Sequence, residues 1–116
     1  MGAKAKDLVS HEAFSAIDIR VGSIVRAEVS VRAKRPSYRL LISFGPWGQR
    51  TSSAQLTERY TATALVGRRV LAIVNMPPRQ VADVMSQVLV LGVIDRPGGT
   101  VLLTPDATVA DGSPVR

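Results

Sequence analysis

Cysteine is absent from this sequence, and histidine and aromatic residues are scarce. Without cysteine the chain has no disulfide, no thiolate nucleophile and no zinc–cysteine site, and a single histidine, His11, excludes any site that needs two imidazoles. Aromatic residues make up only 4% of the 116 residues, which argues against a surface that reads single-stranded nucleic acid by stacking bases on many rings. We therefore expect no metal and no cofactor.

Long hydrophobic runs are also missing. The longest aliphatic run, from Val88 to Ile94, has seven residues including a glycine, whereas a membrane-spanning helix needs roughly 20. The first ten residues contain no apolar stretch of signal-peptide length. We therefore expect a soluble cytoplasmic protein without membrane insertion, with a flexible tail over residues 1–9 and a single domain over residues 10–116.

The residue patterns that support catalysis are likewise absent. Nine carboxylates are spread from Asp7 to Asp111, without the close pairing in an apolar setting that indicates acid–base catalysis. His11 lies beside the tail, and Gly98-Gly99 fits a hairpin turn rather than a phosphate-binding loop between a strand and a helix. These observations predict that the chain is not an enzyme.

The clearest pattern that is present is an alternation of apolar and polar residues from Ile17 to Val31. A period of two over this length predicts one long, half-buried strand, with Gly22 as the expected position of a kink or bulge. A second strand follows over Tyr38–Phe44, with both of these aromatic residues in phase with its core face. The turn Gly45-Pro46-Trp47-Gly48 then returns the chain as a third strand, Gln49–Ala54.

Two short helices are predicted beside the strands. Ser10 is placed to cap an N-terminal helix, and Thr63 to cap a helical turn that Gly67 ends, between the third and fourth strands. Five or six strands, with one helix between the third and the fourth, is the order of elements in an OB-fold. We therefore predict an all-β protein, a five-stranded Greek-key barrel of the OB type with a short N-terminal helix.

Two later strand candidates are apolar on both faces. Residues 70–74 and 88–94 show no alternation, unlike the first strand, so both of their sides have to be covered. A chain this short has one helix for that purpose, and a second subunit would cover the rest. On this ground we predict a homodimer.

Positive charge exceeds negative charge. Lys and Arg total 15 against nine Asp and Glu, a formal charge of +6, and 12 of the 15 cations are arginine, the residue suited to bidentate phosphate contacts. Several lie in or beside the first inter-strand loop, which borders the ligand face of an OB-fold. Shape and phosphate recognition of structured RNA and a merely solvated basic face both stay open. The candidate RNA-binding residues are Arg32, Lys34, Arg35, Arg39 and Arg79.

Two polar clusters interrupt the apolar strands: Thr51–Gln55 and Asn75–Arg79, the second being followed by Ser86-Gln87. They belong either to an edge strand and a proline-terminated strand end, or to a site in which hydroxyl, amide and arginine donors rim an apolar floor. Such a surface suits an extended peptide or an RNA backbone. The candidate peptide-groove residues are Ser52, Ser53, Gln55, Asn75, Met76, Pro77, Arg79, Met85 and Ser86.

A family resemblance is carried by five segments, which are Asp18–Glu28, Ser52–Gln55, Leu65–Val70, Asn75–Arg79 and Ser86–Gly92. Together they resemble the CsaA family of bacterial secretion-associated chaperones, and the likeness covers about residues 11–116. This family shares the OB-fold of the tRNA-binding domain that is appended to some methionyl- and phenylalanyl-tRNA synthetases. The resemblance implies a homodimer with a peptide-binding groove on each subunit and affinity for unfolded or export-bound polypeptides.

One stretch departs from that family. After Pro78 its members usually continue with two basic residues, Ile-Ala-Gly and an aromatic residue, whereas here Arg79 is followed by Gln80-Val81-Ala82-Asp83-Val84-Met85. The loss of a cation and the gain of Asp83 disfavour phosphate near the groove. We therefore predict a non-enzymatic homodimer that binds unfolded polypeptides or preproteins, with a tRNA-binding module acting in trans as the alternative.

Overall fold

The computed structural model describes residues 4–30, 34–96 and 98–116. Within these ranges the helices are α1 (His11–Ser15) and α2 (Ala62–Leu65), and Gly45–Trp47 is a 3₁₀ turn. The strands are β1 (Ile19–Val29), β2 (Tyr38–Ser43), β3 (Gln49–Ala54), β4 (Arg69–Ile73), β5 (Arg79–Val81), β6 (Val84–Ser86), β7 (Leu89–Val90), β8 (Gly92–Asp95), β9 (Gly99–Leu102) and β10 (Pro114–Val115). Neither helix in the described part of the chain has the length and apolar character needed to cross a membrane.

Strand β1 is shared by two halves of the main sheet. Its residues 19–23 pair with β4 and its residues 23–29 pair with β2, both antiparallel. The resulting order is β3–β2–β1–β4–β7, with β10 beside the start of β1 and with separate hairpins β5–β6 and β8–β9. A long first strand that is shared in this way bends the sheet into a nearly closed barrel. The predicted all-β fold of the OB type, with α2 between β3 and β4, is confirmed.

A β-bulge interrupts β1 at Val25. Ile24 and Arg26 pair with consecutive residues of β2, so Val25 between them is an extra residue. An extra residue exchanges the two faces of a strand, which is why the even-numbered Gly22 and Ile24 face the core before the bulge and the odd-numbered Ala27 packs against it afterwards. The bulge predicted at Gly22 is therefore in the wrong place.

Gly22 has a packing role instead. A Cβ at this position would lie 2.7 Å from Ile42 Cγ2 and 2.8 Å from Phe44 Cε1. Both neighbours are core residues with almost no exposed surface, and a close-packed core gives them little space to move. The missing side chain thus lets them pack directly on the backbone of β1. This strand begins at Ile19 rather than at the predicted Ile17, and its predicted end, Val31, lies outside the described residues.

The hydrophobic core lies inside the barrel. Strands β2 and β4 supply its centre, and Leu65 of α2 is fully buried among them. Tyr38 and Phe44 are buried too, as their phase in the second strand predicted. The Tyr38 hydroxyl donates to the Tyr60 carbonyl oxygen at 2.7 Å, so the one polar atom of this side chain is satisfied in the core.

Hydroxyl caps begin both helices. Ser10 caps α1 as predicted, because its hydroxyl accepts a hydrogen bond from an amide of the first turn. Thr61, rather than the predicted Thr63, does the same for α2. Gly67 follows α2 with a φ of +90°, the left-handed conformation that commonly ends a helix.

The segment predicted as one strand over 88–94 forms two short strands, β7 and β8, which pair with different partners. Val88 is buried, whereas Leu89, Val93 and Ile94 are 47%, 52% and 73% exposed. The barrel core therefore covers the inner side of this segment. Within the described part of the protomer, its outward apolar atoms have no comparable cover.

Candidate functional site

The first polar cluster, Thr51–Gln55, meets Ser86 and Gln87, the residues that follow the second cluster in the sequence, where β6 lies beside β3. The Ser52 hydroxyl donates to the Val88 carbonyl oxygen at 3.0 Å and lies 3.4 Å from the Ser86 hydroxyl. The Ser86 hydroxyl in turn accepts from the Ser53 amide at 3.1 Å. Ser52, predicted to line a groove, is only 1% exposed and its hydroxyl is bonded to Val88, so this hydroxyl is used within the barrel wall.

Thr51 and Gln87 extend this connection. The Gln87 side-chain oxygen accepts from the Thr51 amide at 2.9 Å, and the Gln87 amide donates to the Thr51 carbonyl oxygen at 2.8 Å. The Thr51 hydroxyl donates to the Met85 carbonyl oxygen at 2.6 Å. Side chains thus satisfy backbone groups at the outer edge of β3, where an unpaired strand would leave them open. We call these contacts the β3–β6 seam, formed by Thr51, Ser52, Ser53, Ser86 and Gln87.

Asn75 makes a structural contact of its own. Its side-chain oxygen accepts from the Asp18 amide, and its side-chain nitrogen donates to the Ala16 carbonyl oxygen, both at 2.8 Å. These two bonds hold the segment between α1 and β1 against the end of β4. Asn75 also borders a pocket that the sequence interpretation did not identify.

That pocket has a volume of about 220 Å³ and lies between the start of β1, the 3₁₀ turn and the end of β4. It is lined by Phe44, Trp47, Val74, Asp18, Arg20, Arg50 and Asn75. Trp47 is 53% exposed, so its ring is accessible from solvent. Three apolar side chains and four polar or charged ones thus share the lining, and such a combination can hold an organic ligand by apolar contact and hydrogen bonds. We call it the Trp47 pocket.

The side chain of Arg20 is held against one wall of the Trp47 pocket. Its guanidinium carbon lies 4.1 Å from the centroid of the Trp47 ring, and its Nη1 donates to the Gly112 carbonyl oxygen at 2.8 Å. Its Nε forms an ion pair with Asp18 Oδ1 at 2.9 Å. These contacts orient the indole ring and neutralise Arg20. Arg50, by contrast, has no carboxylate partner among the described residues, so it supplies the unpaired charge of the pocket.

A second cavity, of about 360 Å³, opens between residues 34–37, the end of β3 and the turn of the β5–β6 hairpin. It is lined by Lys34, Arg35, Ser37, Ser53, Gln55, Val81 and Ala82. Residues that were predicted for different functions meet in this cavity. Ser53 and Gln55 were expected in a peptide groove, whereas Lys34 and Arg35 were expected to bind RNA. We call it the basic cavity.

The remaining candidate residues lie outside both cavities. Those exposed at the surface are Met76, Pro77, Arg79, Met85 and Arg39. Ser86 belongs to the β3–β6 seam, and Arg32 lies outside the described residues. The single groove expected from the sequence is therefore divided, with Asn75 at the Trp47 pocket and Ser53 and Gln55 at the basic cavity.

Most residues of the Trp47 pocket were missed by sequence reasoning. Asp18 and Arg20 fall on the polar side of the alternating first strand, and Phe44 fits the core, so none of them stands out in the sequence. The available signal was Trp47 itself. A large ring in a Gly-Pro-Trp-Gly turn cannot join the core and has to pack against whatever side chain lies beside the turn, here Arg20.

Comparison with known protein families matches residues 19–114 to the putative tRNA-binding domain. The methionine–tRNA ligases of Methanococcoides burtonii and Flavobacterium johnsoniae are each 32% identical, over 93% and 95% of this chain. The chain spans only 16% and 15% of the length of those two ligases. The similarity to them is therefore a similarity to one domain.

Solved structures match the whole fold. The chaperone CsaA from Bacillus anthracis has a TM-score of 0.90 at 39% identity, over 95% of this chain and 100% of that chain. A CsaA chaperone protein from Picrophilus torridus has a TM-score of 0.88 at 41% identity, over 94% and 100%. The expected resemblance to CsaA is confirmed. With 96 contiguous residues of the barrel, from 19 to 114, inside the family match, the chain belongs to the putative tRNA-binding domain family.

Proposed function

We propose that this protein binds unfolded or export-bound polypeptides as a homodimer in the cytoplasm, as a chaperone of the CsaA type. The observation that carries the proposal is the Trp47 pocket, where an exposed indole ring adjoins Phe44, Val74 and the guanidinium of Arg50, which has no carboxylate partner among the described residues. An unfolded polypeptide exposes apolar side chains next to carbonyl oxygens. A pocket with an apolar wall and donors at its rim is complementary to both.

The extent of the structural likeness supports this proposal. The two CsaA chains are matched over their whole length at 39% and 41% identity, whereas the methionine–tRNA ligases are matched over about one sixth of theirs at 32%. By sequence identity the chain is thus more similar to these two chaperone structures than to these two ligases.

Suppression of aggregation tests the proposal. Chemically denatured citrate synthase is diluted into buffer that contains the wild type, Trp47→Ala or Trp47→Phe, and light scattering is followed. We expect the wild type to suppress scattering and Trp47→Ala to lose most of this effect, because it removes the largest exposed apolar surface of the pocket. Trp47→Phe retains a ring and is expected to keep most of it. No suppression by the wild type, or full suppression by a folded Trp47→Ala variant, would contradict the assignment of this pocket.

A second candidate function, binding of tRNA in trans, is favoured by the exposed cations near the basic cavity. Lys34, Arg35 and Arg39 are exposed and have no carboxylate partner among the described residues. Arg79 is exposed as well. Exposed cations without a carboxylate partner are suited to phosphate contacts.

Salt dependence separates the two candidates. If four to six phosphates are neutralised, the logarithm of the tRNA affinity should fall against the logarithm of the salt concentration with a slope of roughly −3 to −5. Binding of an uncharged apolar peptide should change little over the same range. A flat titration with tRNA would rule out the second candidate.

The homodimer belongs to the first proposal. Leu89, Val93 and Ile94 expose apolar atoms along β7 and β8, and covering such atoms yields roughly 25 cal/mol per Å². A second copy of the chain would provide that cover. The expected dimer is therefore driven by the same segment whose two apolar faces were visible in the sequence.

A further inference from the structure

The polar side chains at the two ends of β3 differ in their hydrogen bonding. In the β3–β6 seam the side chains of Thr51, Ser52, Ser86 and Gln87 are bonded within the protein, and Ser53 takes part through its backbone amide. The polar side chains that line the basic cavity have neither a hydrogen-bond partner nor an ion-pair partner among the described residues; they are Lys34, Arg35, Ser37, Ser53 and Gln55. The basic cavity therefore holds a set of donors that the fold itself does not use.

Ser37 makes this observation specific. Its residue is 2% exposed, and its hydroxyl is buried without a partner in the described structure. Buried hydroxyls are nearly always paired, because an unpaired one loses its bonds to water without replacement. An unpaired hydroxyl in the lining of a cavity indicates an acceptor that arrives from outside the chain.

The charge of the lining identifies the kind of acceptor. Lys34 and Arg35 are cations, and no carboxylate belongs to the described lining of the basic cavity. Two cations and two hydroxyls, those of Ser37 and Ser53, are the donor types that bind an oxyanion. Arg35 and Gln55 also border an adjoining cavity of about 470 Å³, so a ligand can extend from one space into the next.

We propose that the basic cavity binds a carboxylate of the bound polypeptide, so that the protein prefers clients in which an acidic group adjoins an apolar segment. This inference rests on the proposed polypeptide-binding function and adds a substrate class to it. The lining of Val81 and Ala82 next to the cations suits a peptide that carries one charge among apolar side chains.

The surroundings favour a single carboxylate over the backbone of a nucleic acid. Asp83 follows Ala82 in the hairpin turn, with its carboxylate 3.4 Å from the Ser30 hydroxyl. Glu58 and Asp95 line the adjoining cavity, where Asp95 is paired with Arg59 at 2.7 Å. A phosphate at every nucleotide would pass these carboxylates and be repelled. Within the basic cavity, a peptide with one acidic group meets Lys34 and Arg35 and no carboxylate of the described lining.

Two matched peptides test the inference. One is an extended 12-residue peptide of apolar and neutral polar residues with a central glutamate, and the other has glutamine at that position. We expect the wild type to bind the glutamate peptide about tenfold more tightly, as charge-assisted hydrogen bonds allow, in fluorescence anisotropy at fixed ionic strength. Equal affinities would overturn the inference while leaving polypeptide binding intact.

Arg35→Gln assigns the preference to the cavity. We expect this variant to bind both peptides with the affinity that the wild type has for the glutamine peptide. Arg26→Gln, which removes an exposed arginine of β1 outside both cavities, is the control for net charge and should keep the tenfold preference. If Arg35→Gln weakens tRNA binding and leaves the peptide preference unchanged, the cavity serves RNA and the inference is wrong.

A small probe keeps the inference testable if neither peptide binds, an outcome that would contradict the proposed function. The wild type is then titrated with sodium acetate against sodium chloride at equal ionic strength and observed by NMR. Saturable shifts of the backbone amides of Lys34, Arg35, Ser37 and Ser53 that are lost in Arg35→Gln would support a carboxylate site. Shifts spread over all exposed basic residues would overturn it.

Discussion

At the scale of single residues, positions that look similar in the sequence have opposite roles. Ser37 and Ser52 are both buried serines, at 2% and 1% exposure. The Ser52 hydroxyl donates to the Val88 carbonyl oxygen at 3.0 Å, while the Ser37 hydroxyl has no partner among the described residues. The Ser52 hydrogen bond stabilises the fold, whereas the unpaired Ser37 hydroxyl lowers the free energy of unfolding.

Alanine at each serine separates these roles. Ser52→Ala is expected to lower the free energy of unfolding by about 1 kcal/mol because it breaks a buried hydrogen bond. Ser37→Ala is expected to leave it unchanged or to raise it by up to about 1 kcal/mol, because it removes an unsatisfied group. Urea denaturation measures both. A loss at Ser37 as large as that at Ser52 would mean that the Ser37 hydroxyl is paired, and would remove one support of the carboxylate site.

Gly22→Ala tests the close contact between β1 and the core. The new methyl group would overlap Ile42 and Phe44, and such overpacking typically costs about 1–3 kcal/mol. We expect the melting temperature to fall by several degrees. Gly67→Ala is the comparison, since nothing lies within 4 Å of a Cβ there and only the φ of +90° resists the change, at about 1 kcal/mol. An unchanged melting temperature for Gly22→Ala would contradict the packing role.

At the scale of elements, side-chain hydrogen bonds join segments that a ladder of backbone hydrogen bonds would join in a longer sheet. The β5–β6 hairpin joins the barrel at β3 largely through the β3–β6 seam, in which Gln87 bonds both backbone groups of Thr51. The barrel closes there with few residues. The polar composition of Thr51–Ser53, which resembles a ligand site in the sequence, follows from that closure.

Substitutions at Gln87 test the seam. Gln87→Ala removes the acceptor for the Thr51 amide, and we expect the free energy of unfolding to fall by about 1–2 kcal/mol. Gln87→Glu keeps an oxygen at that place and is expected to lose much less. Hydrogen exchange provides a local measurement, since the Thr51 amide should exchange faster in Gln87→Ala only. Equal exchange in all three proteins would show that the seam does not protect this amide.

The elements also show how far sequence reasoning extends. Patterns among neighbouring residues were enough to predict α1 with its Ser10 cap, the turn at residues 45–48 and β3. Caps, turns and alternation depend only on residues that are close in the sequence. The bulge at Val25 was missed, since its position depends on how β2 pairs with β1. The roles of Ser52 and Asn75 were missed for the same reason, because their partners are 36 and 59 residues away in sequence.

At the scale of the whole molecule, the exposed apolar segment of β7 and β8 leads to a prediction about assembly. We expect light scattering after gel filtration to give twice the protomer mass of 12.4 kDa. Val93→Asp places a charge on the proposed interface and is expected to give monomers, because an unpaired charge is costly to bury. Val66→Asp is the control, since Val66 is equally exposed, 53% against 52%, but adjoins α2. A monomeric wild type would contradict the homodimer.

Closure of β3 by the β3–β6 seam bears on how the proposed chaperone would release a client. The amides of Thr51 and Ser53 are already bonded to side chains of Gln87 and Ser86, so an unfolded chain cannot add to this edge as another strand. Strand addition is the step by which partly folded proteins recruit one another into fibrils. A protein that holds clients by side-chain pockets instead can let them dissociate intact, and it stays out of the aggregates that it is proposed to prevent.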